Sequence, residues 1–142
     1  IAGLDPAIHR AVNACNNKLR GGDEMPVEPI EVAVIGTGWC GGIRAETLSR
    51  YPLVKKLHVC EIRPDRLKEI QQLTNAAVAT ADYQDIVRND AVKVVYISTT
   101  PENTHYPIAR DCLKAGKHVL LEKPIALELY EADELIAIAK RN

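Results

Sequence analysis

The segment 35–42, Ile-Gly-Thr-Gly-Trp-Cys-Gly-Gly, has the residue types and spacing of a phosphate-binding turn. It follows an apolar run, Ile30 to Ile35, and carries glycines at the three positions of a G-x-G-x-x-G fingerprint. Gly36 allows a tight turn, Gly38 leaves room for a pyrophosphate, and Gly41 lets the next helix pack closely. The free N–H groups of that helix attract phosphate. The residues predicted to hold a dinucleotide here are Gly36, Thr37, Gly38, Trp39, Cys40 and Gly41.

An acidic residue stands where the ribose of such a dinucleotide would lie. Glu61 follows the apolar run 56–60 and lies 20 residues beyond Gly41. At the tip of a second strand, its carboxylate can accept hydrogen bonds from ribose hydroxyls. The carboxylate would repel a 2′-phosphate, whereas Arg63 could reach one. We therefore expect Glu61, Ile62 and Arg63 to bind the cofactor, with NAD favoured over NADP.

A polar loop follows the strong apolar strand 92–99. Pro101 ends that strand, and the polar side chains lie at the height of a nicotinamide ribose. The residues predicted to bind there are Thr99, Thr100, Pro101, Asn103 and His105. The alternative is a capped turn in which Asn103 or Thr104 caps the next helix. For His105, a first-turn surface residue and a functional residue remain equally open.

Strands and helices alternate along the chain around these segments. Short strands are predicted at 30–35, 56–60, 77–80, 92–99 and 118–122, and helices follow the glycines, Pro64, Asp82, Tyr106 and Pro124. Inward helix positions are predicted at Leu67, Ile70 and Leu73, and at Leu129, Ala132, Leu135, Ile136 and Ala139; Ile43, Thr47, Leu48 and Tyr51 fall at helical spacing. This alternation predicts an α/β fold, a doubly wound parallel sheet of the Rossmann type with ligands at the carboxyl ends of its strands.

Residues 1–29 are predicted to form an extra N-terminal helix and a linker, and residues 30–142 the dinucleotide-binding domain. Asp5 as N-cap, Pro6, and an apolar stripe through Leu19 indicate the helix, and Gly21 and Gly22 end it. A flap packed on the domain is favoured over an arm that binds a partner or a second copy.

Composition narrows the function classes. A net charge of −1 without a basic cluster argues against nucleic acid, and no run approaches the roughly 20 apolar residues of a membrane span. With no leader pattern at its start, the chain is expected to be soluble and cytoplasmic. The four scattered cysteines are expected to be reduced thiols, and His58 with Cys60 is expected to serve packing instead of a metal site.

Several segments together resemble the glucose-fructose oxidoreductase, inositol dehydrogenase and MocA family. They are the glycine turn, the loop 100–105 (Thr-Pro-Glu-Asn-Thr-His), the run 115–119 (Ala-Gly-Lys-His-Val) and Glu122-Lys123-Pro124. The resemblance covers about residues 30 to 140. It implies NAD or NADP as cofactor and hydride transfer at a hydroxyl or carbonyl carbon of a sugar, cyclitol or similar small molecule. Glu122, Lys123 and Pro124 would lie at the cofactor, with Lys123 beside the reacting hydroxyl as the catalytic residue. An ammonium group there can stabilise negative charge on the substrate oxygen.

The resemblance also implies what this chain leaves out. Family members usually continue into a second domain that binds substrate and supplies a catalytic histidine, and this chain ends at Asn142 after its last recognisable helix. Glu102 and Glu128 depart from residues that are common in the family. Two hypotheses follow. The chain is the cofactor domain of an oxidoreductase, catalytically incomplete alone and a possible homo-oligomer, or it is a non-catalytic dinucleotide-binding module that regulates a partner protein.

Overall fold

The computed structural model describes residues 28–142. The predicted helix from Asp5 and nearly all of the predicted linker lie outside these residues, so that part of the domain division stays a prediction.

Five parallel strands form a single sheet in the described part of the chain. They are β1 (Ile30–Ile35), β2 (Val54–Cys60), β3 (Val78–Thr80), β4 (Val92–Ile97) and β5 (His118–Leu121). Their order is β3-β2-β1-β4-β5, with β1 hydrogen-bonded to both β2 and β4. The chain therefore reverses its winding direction beside β1, and the crevice outside the carboxyl ends of β1 and β4 is the expected ligand site of such a sheet.

Helices cover both faces of the sheet. They are α1 (Trp39–Ser49), α2 (Pro64–Thr74), α3 (Tyr83–Arg88), α4 (His105–Lys114) and α5 (Leu129–Ala139). One core joins the face of Val34 and Val59 to α1 and α2, and the other joins the face of Ile35 and Ile97 to α3, α4 and α5. Because both faces are buried, alternate residues of β1 are equally apolar. The predicted doubly wound α/β fold is confirmed.

Two predicted helix faces are wrong in detail. Leu73 is exposed and Thr74 is buried in its place, with its hydroxyl donating to the Ile70 carbonyl at 2.6 Å. In α5 the buried stripe is Leu135 and Ile138, whereas Leu129, Ile136 and Ala139 are exposed. These helices pack through a narrow stripe, and apolar residues just beside the stripe stay in contact with water.

The helix predicted after the glycines is α1. It ends at Ser49, before Tyr51, and its buried positions are Gly41, Gly42 and Ala45. Of the residues at helical spacing, Leu48 packs against the core, whereas Ile43, Thr47 and Tyr51 are exposed. The small residues face the sheet because this helix lies close to it.

Polar groups at the amino edge of the sheet are paired inside the protein. His58 Nε2 lies 2.8 Å from Glu31 Oε2, and Lys56 Nζ lies 3.2 Å from the other oxygen of Glu31. The hydrogen bond with His58 lowers the pKa of the Glu31 carboxyl. Lys117, also buried, donates to the carbonyls of Asn89 and Val92. These contacts pair the charged groups within the fold, although the buried His58 Nδ1 has no hydrogen-bond partner among the described residues.

Candidate functional site: the groove at the carboxyl ends of the strands

The glycine turn fits tightly against the end of β4. Gly36 has a φ of 83°, and a β-carbon on it would lie 2.5 Å from the Ser98 carbonyl oxygen. A β-carbon on Gly41 would overlap the Gly36 carbonyl oxygen. Both positions therefore require glycine for reasons of local packing.

The first turn of α1 is open toward the groove. A β-carbon on Gly38 would meet no described atom within 4 Å, and no described side chain caps the helix at this residue. The first N–H groups of a helix need partners, and the helix dipole favours an anion there. The space at Gly38 and the uncapped helix end therefore fit a pyrophosphate.

Arg66 braces the turn from behind, a role that the sequence reasoning missed. Its Nε donates to the Thr37 carbonyl at 2.7 Å, and its guanidinium occupies the place that a β-carbon on Gly42 would take. The second glycine of the Gly41-Gly42 pair therefore admits an arginine from α2. Only the packing of α1 on α2 brings these residues together.

Glu61 lies at the tip of β2, as predicted, and it holds the turn in place. Its Oε2 accepts bonds from the Thr37 amide and hydroxyl, both at 3.1 Å, and the Arg63 side chain contacts both carboxylate oxygens. Burial opposes ionisation, but the hydrogen bonds from Arg63 and the Thr37 amide outweigh it and lower the pKa of Glu61. The group is therefore a carboxylate at neutral pH, as an acceptor for ribose hydroxyls must be.

The loop after β4 is held by its own side chains. Thr99 and Thr104 share a hydrogen bond of 2.5 Å between their hydroxyls, and neither Asn103 nor Thr104 caps α4. His105 is only 2% exposed, so it is not a surface residue. Its Nδ1 lies 2.8 Å from the Pro124 carbonyl oxygen and its Nε2 lies 2.9 Å from that of Thr99.

The segment Glu122-Lys123-Pro124 follows β5 at the same edge of the sheet. Glu122 Oε1 accepts bonds from the Tyr96 hydroxyl and from the Cys40 thiol, the latter at 3.2 Å. The Tyr96 bond, followed by that of Cys40, lowers the pKa of the Glu122 carboxyl. Lys123 is exposed and forms no ion pair within residues 28–142, and its bond to Pro124 is a cis peptide.

The glycine turn, the tip of β2 and the loops after β3 and β4 enclose a groove of about 650 Å³, and residues 122–124 lie outside its lining. The predicted residues that line it are Gly36, Gly38, Trp39, Glu61, Ile62, Arg63, Thr99 and Thr100. Residues that the prediction missed are Ile35, Cys60, Ala81, Tyr83, Ser98, Thr104, Pro107 and Ile108. Ala81 and Tyr83 could have been found, because the loop after β3 must end at the same edge.

Other predicted residues lie around the groove without lining it. Thr37 and His105 are buried behind it, and Cys40 and Glu122 bond to each other beside the first turn of α1. In the described part of the chain, no cluster of three or more His, Cys, Asp or Glu side chains could hold a metal ion. No helix there is long and apolar enough to cross a membrane.

Three features together define a dinucleotide-binding Rossmann domain. They are a parallel sheet with this strand order, a glycine turn that opens onto a helix N-terminus, and an acidic residue at the tip of β2. Residues 30–142 match the model of an oxidoreductase family described by its NAD-binding Rossmann fold. The chain belongs to this family, and the resemblance seen in its sequence is confirmed.

Named relatives agree with this assignment. The myo-inositol 2-dehydrogenase of Thermotoga maritima is 31% identical over 112 residues, which are 79% of this chain and 33% of the relative. GenD2 from gentamicin A biosynthesis, solved with NAD, is 34% identical with a TM-score of 0.75 over 83% of this chain and 33% of that one. The 3-ketoreductase KijD10 of Actinomadura kijaniata, solved with NADP, is 31% identical with a TM-score of 0.71 over 80% of this chain and 36% of that one. The chain thus spans about a third of the length of these relatives.

Proposed function

We propose that this chain is the cofactor-binding part of an enzyme that transfers a hydride between a nicotinamide cofactor and a hydroxyl or carbonyl carbon. The observation that carries the proposal is the junction of the glycine turn with Glu122-Lys123-Pro124, made by the Cys40 bond to Glu122. Through it the phosphate-binding helix and an exposed ammonium group share one edge of the sheet. A cyclitol or sugar is the substrate class, since the relatives include an inositol dehydrogenase.

Different residues of this chain would contact different parts of the cofactor and the substrate. The uncapped N-terminus of α1 at Gly38 would bind the pyrophosphate, and Glu61 would accept bonds from the adenosine ribose. The loop 99–101 and the segment 122–124 would flank the nicotinamide half. The bound dinucleotide supplies the hydride donor or acceptor. Lys123 would donate a hydrogen bond to the substrate oxygen and stabilise its negative charge as it develops.

The preference for NAD belongs to the same proposal. The Glu61 carboxylate is placed to accept from a ribose diol, and it would repel a 2′-phosphate. Arg63, the group that could attract such a phosphate, is instead bonded to Glu61.

The remaining parts of the enzyme are proposed from the relatives. They are about three times as long as this chain, so we assign the substrate-binding domain to further sequence or to another, different chain. A reducing compartment such as the cytoplasm suits the buried thiols of Cys60 and Cys112.

A titration with NADH and NADPH, followed by nicotinamide fluorescence, tests the proposal. We expect NADH to bind this chain tightly and NADPH at least several-fold more weakly. The control is Gly38→Ala, which should bind both dinucleotides at least tenfold more weakly than the wild type while unfolding at the same temperature. If the wild type bound neither dinucleotide, the cofactor role would be refuted. Binding without turnover in the complete protein, tested with inositols and sugars, would favour a regulatory module.

A further inference from the structure

Side chains from two elements, β4 and α1, meet at Glu122. Tyr96 from β4 and Cys40 from α1 both donate to Oε1, while Oε2 accepts from the Lys123 amide at 3.2 Å. The guanidinium carbon of Arg44 lies 5.9 Å from the centre of the Tyr96 ring. The carboxylate therefore has one oxygen fixed by the core of the domain and the other fixed on the backbone of Lys123.

A second anchor holds the other side of Lys123. The buried His105 ring bridges the Pro124 carbonyl and the Thr99 carbonyl, at 2.8 and 2.9 Å. It thereby ties the segment after β5 to the loop after β4. Lys123 is the exposed residue between two held neighbours.

We propose that Tyr96 is a positioning residue that fixes Glu122, and through it Lys123, at the edge of the groove. Tyr96 is 4% exposed, so it is placed to act through Glu122 and not on a substrate. The glycine fingerprint and the Glu-Lys-Pro segment do not themselves specify a tyrosine in β4. The inference rests on the proposed function, because it assumes that Lys123 contacts the substrate.

The strength and geometry of the Tyr96–Glu122 hydrogen bond explain how it can orient the loop. A hydroxyl that donates to a carboxylate makes a charge-assisted hydrogen bond, which is stronger than a bond between neutral groups. Tyr96 carries that hydroxyl on a rigid ring in the buried carboxyl-terminal half of β4, whereas Glu122 lies on the loop after β5. The orientation of the loop therefore depends on a group that the core holds still.

The chain contains a matched control for this arrangement. The Tyr106 hydroxyl also donates to a carboxylate, that of Glu134, and the guanidinium carbon of Arg110 lies 5.4 Å from the Tyr106 ring centre. This second unit joins α4 to α5 and does not line the groove. Removing its hydroxyl changes the same chemistry at a bond that involves neither Glu122 nor Lys123.

The first experiment compares Tyr96→Phe with Tyr106→Phe in this chain, by amide hydrogen exchange and thermal unfolding. We expect the Lys123 amide to exchange several-fold faster in Tyr96→Phe only, because its carboxylate acceptor is no longer held. Phenylalanine keeps the packed ring, so both variants should remain folded. An unchanged Lys123 exchange rate in Tyr96→Phe would overturn the proposal, whatever its activity.

The second experiment measures turnover and cofactor affinity of both variants in the catalytically complete protein. We expect kcat to fall about tenfold in Tyr96→Phe, with KM and the Kd for NADH nearly unchanged, and no change in Tyr106→Phe. If kcat and thermal stability fell together while KM rose, Tyr96 would have a structural role, and the proposal that it positions Lys123 would be refuted. An inactive wild type would count against the proposed function alone, since the exchange rates decide by themselves whether Tyr96 holds Lys123.

Discussion

The two ends of the groove are built in different ways. The turn end consists of the glycine turn and Glu61, and its shape depends on backbone contacts and on a carboxylate that is 6% exposed. The loop end consists of residues 99–105 together with residues 122–124, which lie beside the groove without lining it, and side-chain hydrogen bonds hold both segments. At the turn end a β-carbon on Gly36 or Gly41 would meet backbone, and only Gly38 has free space, whereas Lys123 at the loop end is exposed.

Under the proposed function, this difference would separate cofactor binding from the chemical step. A rigid end with N–H groups and a fixed acceptor contributes affinity equally before and during the reaction, which is uniform binding. An exposed ammonium on a side-chain-held loop can act mainly where charge develops. Substitutions at the turn end should therefore change cofactor affinity, and substitutions at the loop end should change turnover.

The largest expected effect is that of Lys123→Ala in the catalytically complete protein. We expect turnover to fall by about 10²–10⁴-fold, the usual contribution of a positioned acid-base group, while the Kd for NADH stays within about twofold. Lys140→Ala, which removes an exposed lysine at the end of α5, is the control. Steady-state kinetics with a dinucleotide titration checks both values. Undiminished turnover would mean that Lys123 has no part in the mechanism. The loop end would then not differ from the turn end in its effect on turnover.

Two glycine substitutions distinguish a packing role from a cofactor-binding role at the turn end. In Gly41→Ala the new methyl overlaps the Gly36 carbonyl, and we expect a loss of about 3 kcal/mol in the free energy of unfolding. In Gly38→Ala the methyl meets open space, so stability should hardly change while NADH affinity falls at least tenfold. Denaturant unfolding and fluorescence titration measure the two effects. Equal stability losses would contradict the assignment of the space at Gly38 to pyrophosphate.

The turn end could be predicted from sequence because its determinants are local. Glycine spacing, one apolar strand on each side and the distance from Gly41 to Glu61 are all consequences of a single β-α-β unit. The alternation of elements gave the parallel fold and the edge at which the loops meet. The family is confirmed, whereas the individual site roles remain predictions.

The loop end depends on contacts between distant segments, and these could not be predicted. Tyr96 has the sequence pattern of one more buried strand residue, and only the pairing of β4 with β5 brings its hydroxyl to Glu122. His105 was open between a surface and a functional position, because its two carbonyl partners come from different loops. Leu73 and Ile136 show a related limit, since periodicity does not say how wide a buried stripe will be.

Glu31→Gln tests whether charges at the opposite edge of the sheet serve the fold alone. At pH 7 we expect a loss of about 2 kcal/mol in the free energy of unfolding, because the buried His58 keeps a weaker, uncharged partner. The folded protein lowers the pKa of Glu31, so this contribution is present above pH 4.5 and is lost as the pH falls through the lower folded value.

Urea unfolding at several pH values measures this difference, with the exposed Glu28→Gln as control. The gap between wild type and variant should shrink below pH 4.5, and NADH affinity at pH 7 should be unchanged. A gap that does not depend on pH would mean that the carboxylate charge of Glu31 is not what stabilises the pair. A change in NADH affinity would contradict the separation of this edge from the groove.

The smallest expected effect is a change of cofactor preference in Glu61→Ser. The substitution removes the repulsion of a 2′-phosphate and frees Arg63, whose Nε and Nη2 now bond to the carboxylate at 3.1 and 3.3 Å. We expect the ratio of NADPH to NADH affinity to rise about tenfold, or about 1.4 kcal/mol. Asp133→Ser on α5 changes the net charge equally and should leave the ratio unchanged.

The double variant Glu61→Ser/Arg63→Ala separates the two causes of that change. If Arg63 captures the phosphate, the gain in NADPH affinity should disappear in the double variant; if repulsion alone mattered, the gain should remain. Fluorescence titrations of all four proteins with both dinucleotides measure this. An unchanged ratio in the single variant would mean that the Glu61 carboxylate serves the turn, through Thr37, and does not face the ribose. The turn end would then contribute shape to the groove without selecting its cofactor.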